Sequence, residues 1–316
     1  MANHTLSFSR LALATGLLAV AFARASVAAG LSTDATAGER TPDAVAASES
    51  RTATYSYETL DFPGAAQTIF WGLDDQGELA GQYTLAGGVA HAMTYRHGKF
   101  QPLAPDKLGT YFSAAGGPDD AGTTYGGYAD ASGVQHGFVI RKGRFETVDF
   151  RGHLNSNVDA VDTSGRILGV YWDADGAYHG MLSHHGNETP FDVNGARDTY
   201  PLGLNGEGDS VGYWDADGVT THGYVRRANG QVSMLDVPAA ATTAAFAIND
   251  CGQVAGYFMD TAGGLHGFVK TGQKFQQLDV PGGVATIVTS LNNRGSVAGE
   301  YFDAGGVRHG FVASLK

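Results

Sequence analysis

The 316-residue chain has one cysteine, Cys251, so no disulfide can form within it. It is short of cations, with 20 lysines and arginines against 32 aspartates and glutamates and a net charge of −12. That balance repels phosphate backbones and anionic lipid, which argues against nucleic acid as a partner. Long apolar runs are missing too. The one extended stretch, Leu11 to Phe22, is too short to span a bilayer. It follows Arg10 and precedes the small residues Ser26-Val27-Ala28-Ala29, the order of a cleaved export signal. Residues 1–29 are therefore expected to be a signal peptide. Residues 30–52, rich in alanine, threonine, serine and aspartate, read as a flexible linker. The mature protein is expected to be secreted or periplasmic, with no membrane span after signal removal. No stretch beyond the signal has helical periodicity. Also absent are Gly-x-Ser-x-Gly, His-Glu-x-x-His, P-loop and dinucleotide fingerprints, which removes the enzyme classes known by a local motif.

What is present is a period. Histidine recurs at His91, His136, His179, His222, His266 and His309, at intervals of 45, 43, 43, 44 and 43 residues. Each lies 17 residues after an Asn or Asp: Asp74, Asp119, Asp162, Asn205, Asn249 and Asn292. Glycine follows that residue three and seven positions on, as Gly77 and Gly81 in the first copy. Asn/Asp-x-x-Gly is a hairpin turn, because the side chain bonds its own following backbone and glycine takes the positive-φ position. A period of this length means one supersecondary unit copied six times, each copy burying its faces against its neighbours. Cys251 falls in a turn slot filled elsewhere by Gln76, Ala121, Ser164, Glu207 and Arg294, which marks it as an incidental, solvated thiol.

Each copy reads as four short strands separated by turn signals. In the fifth these are Thr243 to Ile248, Gln253 to Phe258, His266 to Lys270 and Lys274 to Val280. The predicted fold is all-β: a six-bladed β-propeller with four antiparallel strands per blade, an open solenoid being the alternative. Two positions before each Asn/Asp the residue is small: Gly72, Gly117, Ala160, Gly203, Ala247 and Ser290. Crowding is greatest at the axis, so the first strand is expected innermost. The next column, Leu73, Pro118, Val161, Leu204, Ile248 and Leu291, should pack between blades. The last copy ends in its third strand, and Tyr55 to Asp61 looks like an orphan fourth strand. Pairing them completes the last blade with an N-terminal strand, closes the ring and leaves no exposed edge. The propeller domain is thereby residues 53–316.

The repeats His266-Gly267-Phe268, His309-Gly310-Phe311 and His91-Ala92-Met93, with Leu60-Asp61-Phe62-Pro63-Gly64 and Leu278-Asp279-Val280-Pro281-Gly282, resemble the HAF-repeat family of bacterial secreted proteins. The resemblance covers residues 55 to 315. It implies an exported propeller and carries no activity or catalytic set.

The histidine column invites a metal or catalytic reading, but the sequence offers a simpler one. Asp149, Asp192 and Asp279 stand 13 residues after their histidines, Asp236 stands 14 after His222, and Asp61 would serve His309 across the closure. Each pair faces across one hairpin, so a cross-strand His–Asp hydrogen bond is expected. His91 breaks the pattern, with Ala104 where Asp should stand and Asp106 out of register. His91 and His153 are therefore the catalytic candidates. Asp173, Asp175, Asp215 and Asp217 form two Asp-x-Asp-Gly segments that resemble the opening of a calcium loop without its distal Glu. Turn formation explains them equally, and apart from calcium no cofactor is expected. Aromatics nine residues after each Asn/Asp (Tyr83, Tyr128, Tyr171, Trp214, Phe258 and Tyr301) either pack between blades or stack on a ligand. Symmetry breaks in the loops from each fourth strand to the next first strand. There Lys107, Tyr111, Phe112, His153, Asn155, Arg197 and Tyr200 are the candidate ligand-binding set. Three readings stay open. The first is a monomeric binding module for a glycan, small molecule or envelope protein, working through one face of the ring. The second is a propeller enzyme, a lyase, hydrolase or isomerase with an axial pocket. The third is a structural envelope or matrix protein.

Overall fold

The computed structural model describes residues 53–86, 88–103, 112–119, 121–153 and 155–316, with side chains throughout except at 112–115. The expected signal peptide and linker, and Lys107 and Tyr111 of the candidate loops, lie outside the described residues. The described residues form six four-stranded antiparallel sheets in a ring. No helix among them is long and apolar enough to cross a membrane. The fold is a six-bladed β-propeller.

Chain order runs outward in each blade. In blade 1 the strands are Gln67–Leu73, Leu79–Thr84, Ala90–Arg96 and Lys99–Pro102, paired in that order. The other innermost strands are Phe112–Gly116, Asn155–Val161, Asp198–Leu204, Thr242–Ile248 and Ala285–Leu291. The last blade takes its outer strand from the N-terminal side: Tyr55–Thr59 pairs with the final strand, from Tyr55↔Leu315 to Thr59↔Phe311. The Tyr55 hydroxyl also donates to the Gly295 carbonyl at 3.1 Å. The ring therefore closes as the orphan strand predicts.

Turn chemistry sets the register. Asp74 Oδ1 accepts the N–H groups of Gln76 and Glu78 at 2.9 and 2.8 Å, and Gly77 takes φ of 84°. The same arrangement recurs at Asp119, Asp162 and Asn292. Between blades, apolar side chains interlock. Leu278 and Val280 of blade 5 pack on Val288, Leu291 and Phe311 of blade 6. Leu73, Val161 and Ile248 occupy the corresponding layers elsewhere. The small column before them faces the crowded axis as expected. A Cβ on Gly72 would fall 1.7 Å from the Gly117 carbonyl oxygen, a clash that only glycine avoids.

One feature of the inner strands departs from simple alternation. Five of the six carry a β-bulge three residues before the Asn/Asp, between Phe70 and Gly72, Val158 and Ala160, Pro201 and Gly203, Ala245 and Ala247, and Val288 and Ser290. A bulge adds one residue to a strand and re-aims its side chain. The added residues are Trp71, Asp159, Leu202, Phe246 and Thr289. Blade 2 instead keeps its register to Gly116 and ends at a cis Gly117–Pro118 peptide.

Candidate functional site

The bulges deliver these five side chains to the axis. There they line a cavity of about 150 Å³ with Tyr125, the Asn/Asp column and its turns. The exposed turn residues Thr163, Gly206 and Asp250 form part of its rim, so the cavity reaches the face that carries the first-to-second-strand turns. Trp71, Tyr125 and Phe246 present aromatic surface to the same space. Trp71 is steadied by its Nε1, which donates to Gln82 Oε1 at 3.4 Å. Tyr125 lies flat on a glycine bed, where a Cβ at Gly116 would fall 2.6 Å from its ring.

Asp159 is the one charged residue among the five. Its Oδ1 accepts Asn157 Nδ2 at 2.5 Å, while its Oδ2 is sealed from solvent without a hydrogen-bond partner. Part of the residue borders the cavity and keeps some accessible surface. Burial pushes its pKa up from 3.8 to about 7, against the opposing effects of Asn157 and the Val170 amide. Burial likewise raises the Tyr125 hydroxyl, with the nearby charges of Asp119 and Asp159 adding to it.

The lower rim is asymmetric. In blades 4, 5 and 6 the turn residue is asparagine, and its Nδ2 donates to the turn carbonyl of the next blade. Asn205 reaches Asn249 O at 3.3 Å, Asn249 reaches Asn292 O at 3.0 Å, and Asn292 reaches Asp74 O at 2.9 Å. Blades 1, 2 and 3 carry aspartate there, which cannot donate when ionised. Across the seam from blade 3 to blade 4 an arginine takes over: Arg166 pairs with Asp162 at 2.5 Å and donates to Gly206 O at 2.6 Å.

The histidine column sits at the other edge of the blades. Nδ1 of His136, His179, His222, His266 and His309 meets Asp149, Asp192, Asp236, Asp279 and Asp61 at 2.7 to 3.1 Å. Four of these rings have a second carboxylate 3.5 to 3.6 Å from Nε2, from Asp130, Asp173, Asp260 or Asp303. The aromatic nine after the Asn/Asp packs against the histidine in every blade, stacked or tilted, with centroids 5.1 to 5.4 Å apart. These rings are clamped between strands. For His309, partial burial opposes the charged form, but the hydrogen bond and charge of Asp61, then of Asp303, outweigh it and raise its pKa. His91 keeps only the tilted ring contact with Tyr83, with no carboxylate at its ring nitrogens among the described residues.

The described loop candidates His153, Asn155, Arg197 and Tyr200 lie toward that same edge, and none of these four is among the described residues that line the axial cavity. His153 stacks on Tyr171 at 3.7 Å. Asn155 Oδ1 accepts the Gln135 N–H at 3.2 Å. Arg197 Nη1 donates to Asp198 Oδ2 at 2.7 Å. Tyr200 is held between Tyr178 and Tyr213, with centroids 4.7 and 4.6 Å away. Phe112 opens the inner strand of blade 2. Three of the four calcium candidates serve their own turns. Asp173 Oδ1 accepts the N–H of Asp175 and Ala177, Asp215 Oδ1 that of Gly218, and Asp217 Oδ1 those of Val219 and Thr220. Among the described residues no group of three or more His, Cys, Asp or Glu is placed to hold a metal ion. The described loop side chains are therefore already engaged, whereas the bulge column offers a carboxyl with one unpartnered oxygen beside aromatic residues. Sequence reading misses Trp71, Asp159 and Phe246. Their signal is a column that reads Trp, Gly, Asp, Leu, Phe and Thr directly before the uniformly small one.

No protein-family model matches the chain, and no curated protein is significantly similar to it in sequence. Solved structures do resemble it. AofleA from Arthrobotrys oligospora is 13% identical with a TM-score of 0.54, over 83% of this chain and 88% of its own. A six-bladed propeller lectin of Aleuria aurantia, described with a novel fucose recognition mode, is 12% identical with a TM-score of 0.49, over 84% of this chain and 95% of its own. The lectin BP39L of Burkholderia pseudomallei is 10% identical with a TM-score of 0.47, over 75% of this chain and 78% of its own. At these identities the likeness is one of fold.

Proposed function

We propose that this propeller is a binding module that takes one ring of a glycan, or a free sugar, in its axial cavity, through the face of first-to-second-strand turns. The observation that carries the reading is the cavity wall, where Trp71 and Phe246 stand beside the carboxyl of Asp159 and the acceptors of the Asn/Asp column. Aromatic faces pack on the C–H faces of a sugar, and carboxyl and amide oxygens accept from its hydroxyls. A cavity of about 150 Å³ suits one six-membered ring rather than a long chain, since a void of about that size holds benzene in another protein. The His–Asp clamps and the Asn girdle supply a rigid frame, which lowers the ordering cost of binding. Export to the periplasm or beyond, and membership of the HAF-repeat family, belong to the same proposal; they rest on the Arg10-led apolar stretch and the His-Gly-Phe repeats.

Titration of a monosaccharide panel by calorimetry tests the reading, with Trp71→Ala and Phe246→Ala beside the natural protein. Each truncation is expected to weaken binding by roughly three- to tenfold, the worth of one aromatic contact. Unchanged affinity in both variants would move the site off the axis.

A further inference from the structure

Resting on the axial reading, we infer that the preferred occupant is positively charged: an amine-bearing ring, such as an amino sugar, whose ammonium group meets Asp159. The wall carries the carboxylates of Asp74, Asp75, Asp119, Asp159, Asp162 and Asp250 and neither lysine nor arginine among the residues that line it. Such a concave acidic surface concentrates cations and repels anions.

The six carboxylates have different roles. Asp74 and Asp119 accept their own turn amides. Asp162 is paired with Arg166. Asp250 accepts from the Gly206 N–H and Asn293 Nδ2, and Asp75 from the Asn293 N–H. These groups set the field. Asp159 differs from them: the Asn157 amide engages its Oδ1, while its Oδ2 has no hydrogen-bond partner. A poorly satisfied buried carboxyl is costly, and a ligand ammonium at the part of Asp159 that borders the cavity supplies the opposite charge and a further donor.

The asymmetry of the rim points the same way. Asparagine amides occupy the turns of blades 4 to 6, and the three turn aspartates fall in blades 1 to 3, the half of the ring that contains Asp159. Negative charge is thus concentrated on one side of the axis. Trp71 and Phe246 add the electron-rich ring faces that attract an organic cation. A hard metal ion would need several converging oxygens, and the described residues place no such group. One half-satisfied carboxyl beside aromatic rings suits an ammonium instead.

Four probes separate this inference from the reading beneath it: glucosamine, N-acetylglucosamine, glucose and cyclohexylamine. Each is titrated into the protein and into Asp159→Asn, with circular dichroism to check the fold of the variant. Glucosamine is expected to bind at least tenfold more tightly than glucose and N-acetylglucosamine, and Asp159→Asn to remove that gap. Equal binding of all three sugars, or a gap that survives in the variant, overturns the inference and leaves the saccharide reading standing. Binding of cyclohexylamine without any sugar overturns the saccharide reading and supports the cation. If none of the four binds, both fall. The four-probe comparison on the natural protein decides the matter even if the variant does not fold.

Discussion

Asp159 should make the stability of this propeller fall as pH rises, and Asp159→Asn should remove that fall. Its folded-state pKa is about 7 against an ordinary 3.8. Between those values the folded protein holds a proton that the unfolded chain has released. Stability must then decrease from about pH 4 to about pH 7 and level off above, because the folded state binds more protons over that interval. At about 1.4 kcal/mol per unit, the full displacement corresponds to roughly 4 kcal/mol. About two-fifths of it is already lost at pH 5, so the change between pH 5 and pH 8.5 is roughly 2.5–3 kcal/mol. Asparagine keeps the shape and an oxygen for the Asn157 amide but cannot ionise. Urea unfolding of both proteins at pH 5, 6, 7 and 8.5 isolates the effect, since other titrating groups cancel in the difference between them. The variant should gain on the natural protein by that amount as pH rises. A difference that stays constant with pH would show that Asp159 titrates as an ordinary solvated carboxyl, and the sealed axial carboxyl would be refuted.

Two further predictions concern the frame. Gly72→Ala places a Cβ 1.7 Å from the Gly117 carbonyl oxygen, so it should destabilise by about 3 kcal/mol or more; a thermal midpoint within a degree of the natural protein would contradict the close approach of blades 1 and 2. Asp61→Asn removes the carboxylate that most favours the charged form of His309. Because the folded His309 pKa is raised, its contribution is present below about pH 6.5 and lost as pH rises through the folded value. The pair is partly exposed, so the variant should lose up to about 1 kcal/mol at pH 5.5 and markedly less at pH 9. An equal loss at both would show that the Asp61 link acts through geometry alone.

The frame was legible because it is repeated. The Asn/Asp-x-x-Gly turns, the constant step to histidine and the small column at Gly72, Gly203 and Ala247 each state the same local requirement six times. The His–Asp clamps followed from matching Asp149 to His136 across one hairpin, and the closure from the resemblance of Tyr55–Asp61 to Lys274–Asp279. The candidate site was not legible for a physical reason. Alternation along a strand puts successive side chains on opposite faces, and on that rule Asp159 and Ala160 point apart. The bulge between Val158 and Ala160 breaks the rule and turns Asp159 to the axis. No residue type marks a bulge of this kind here, since its slot holds Trp, Asp, Leu, Phe or Thr. Attention to broken symmetry was sound, but the loops at His153 and Arg197 break it at the edge where their side chains are already engaged with Tyr171 and Asp198.

The most direct test follows the indole N–H signals of the three tryptophans during a titration with glucosamine. Trp71 lines the axial cavity, while Trp172 and Trp214 lie toward the opposite edge of their blades, beside Tyr178 and His222. A saturable shift of Trp71, with the other two unmoved, is the predicted result. A shift confined to Trp172 or Trp214 would place the ligand on the loop face and contradict an axial site.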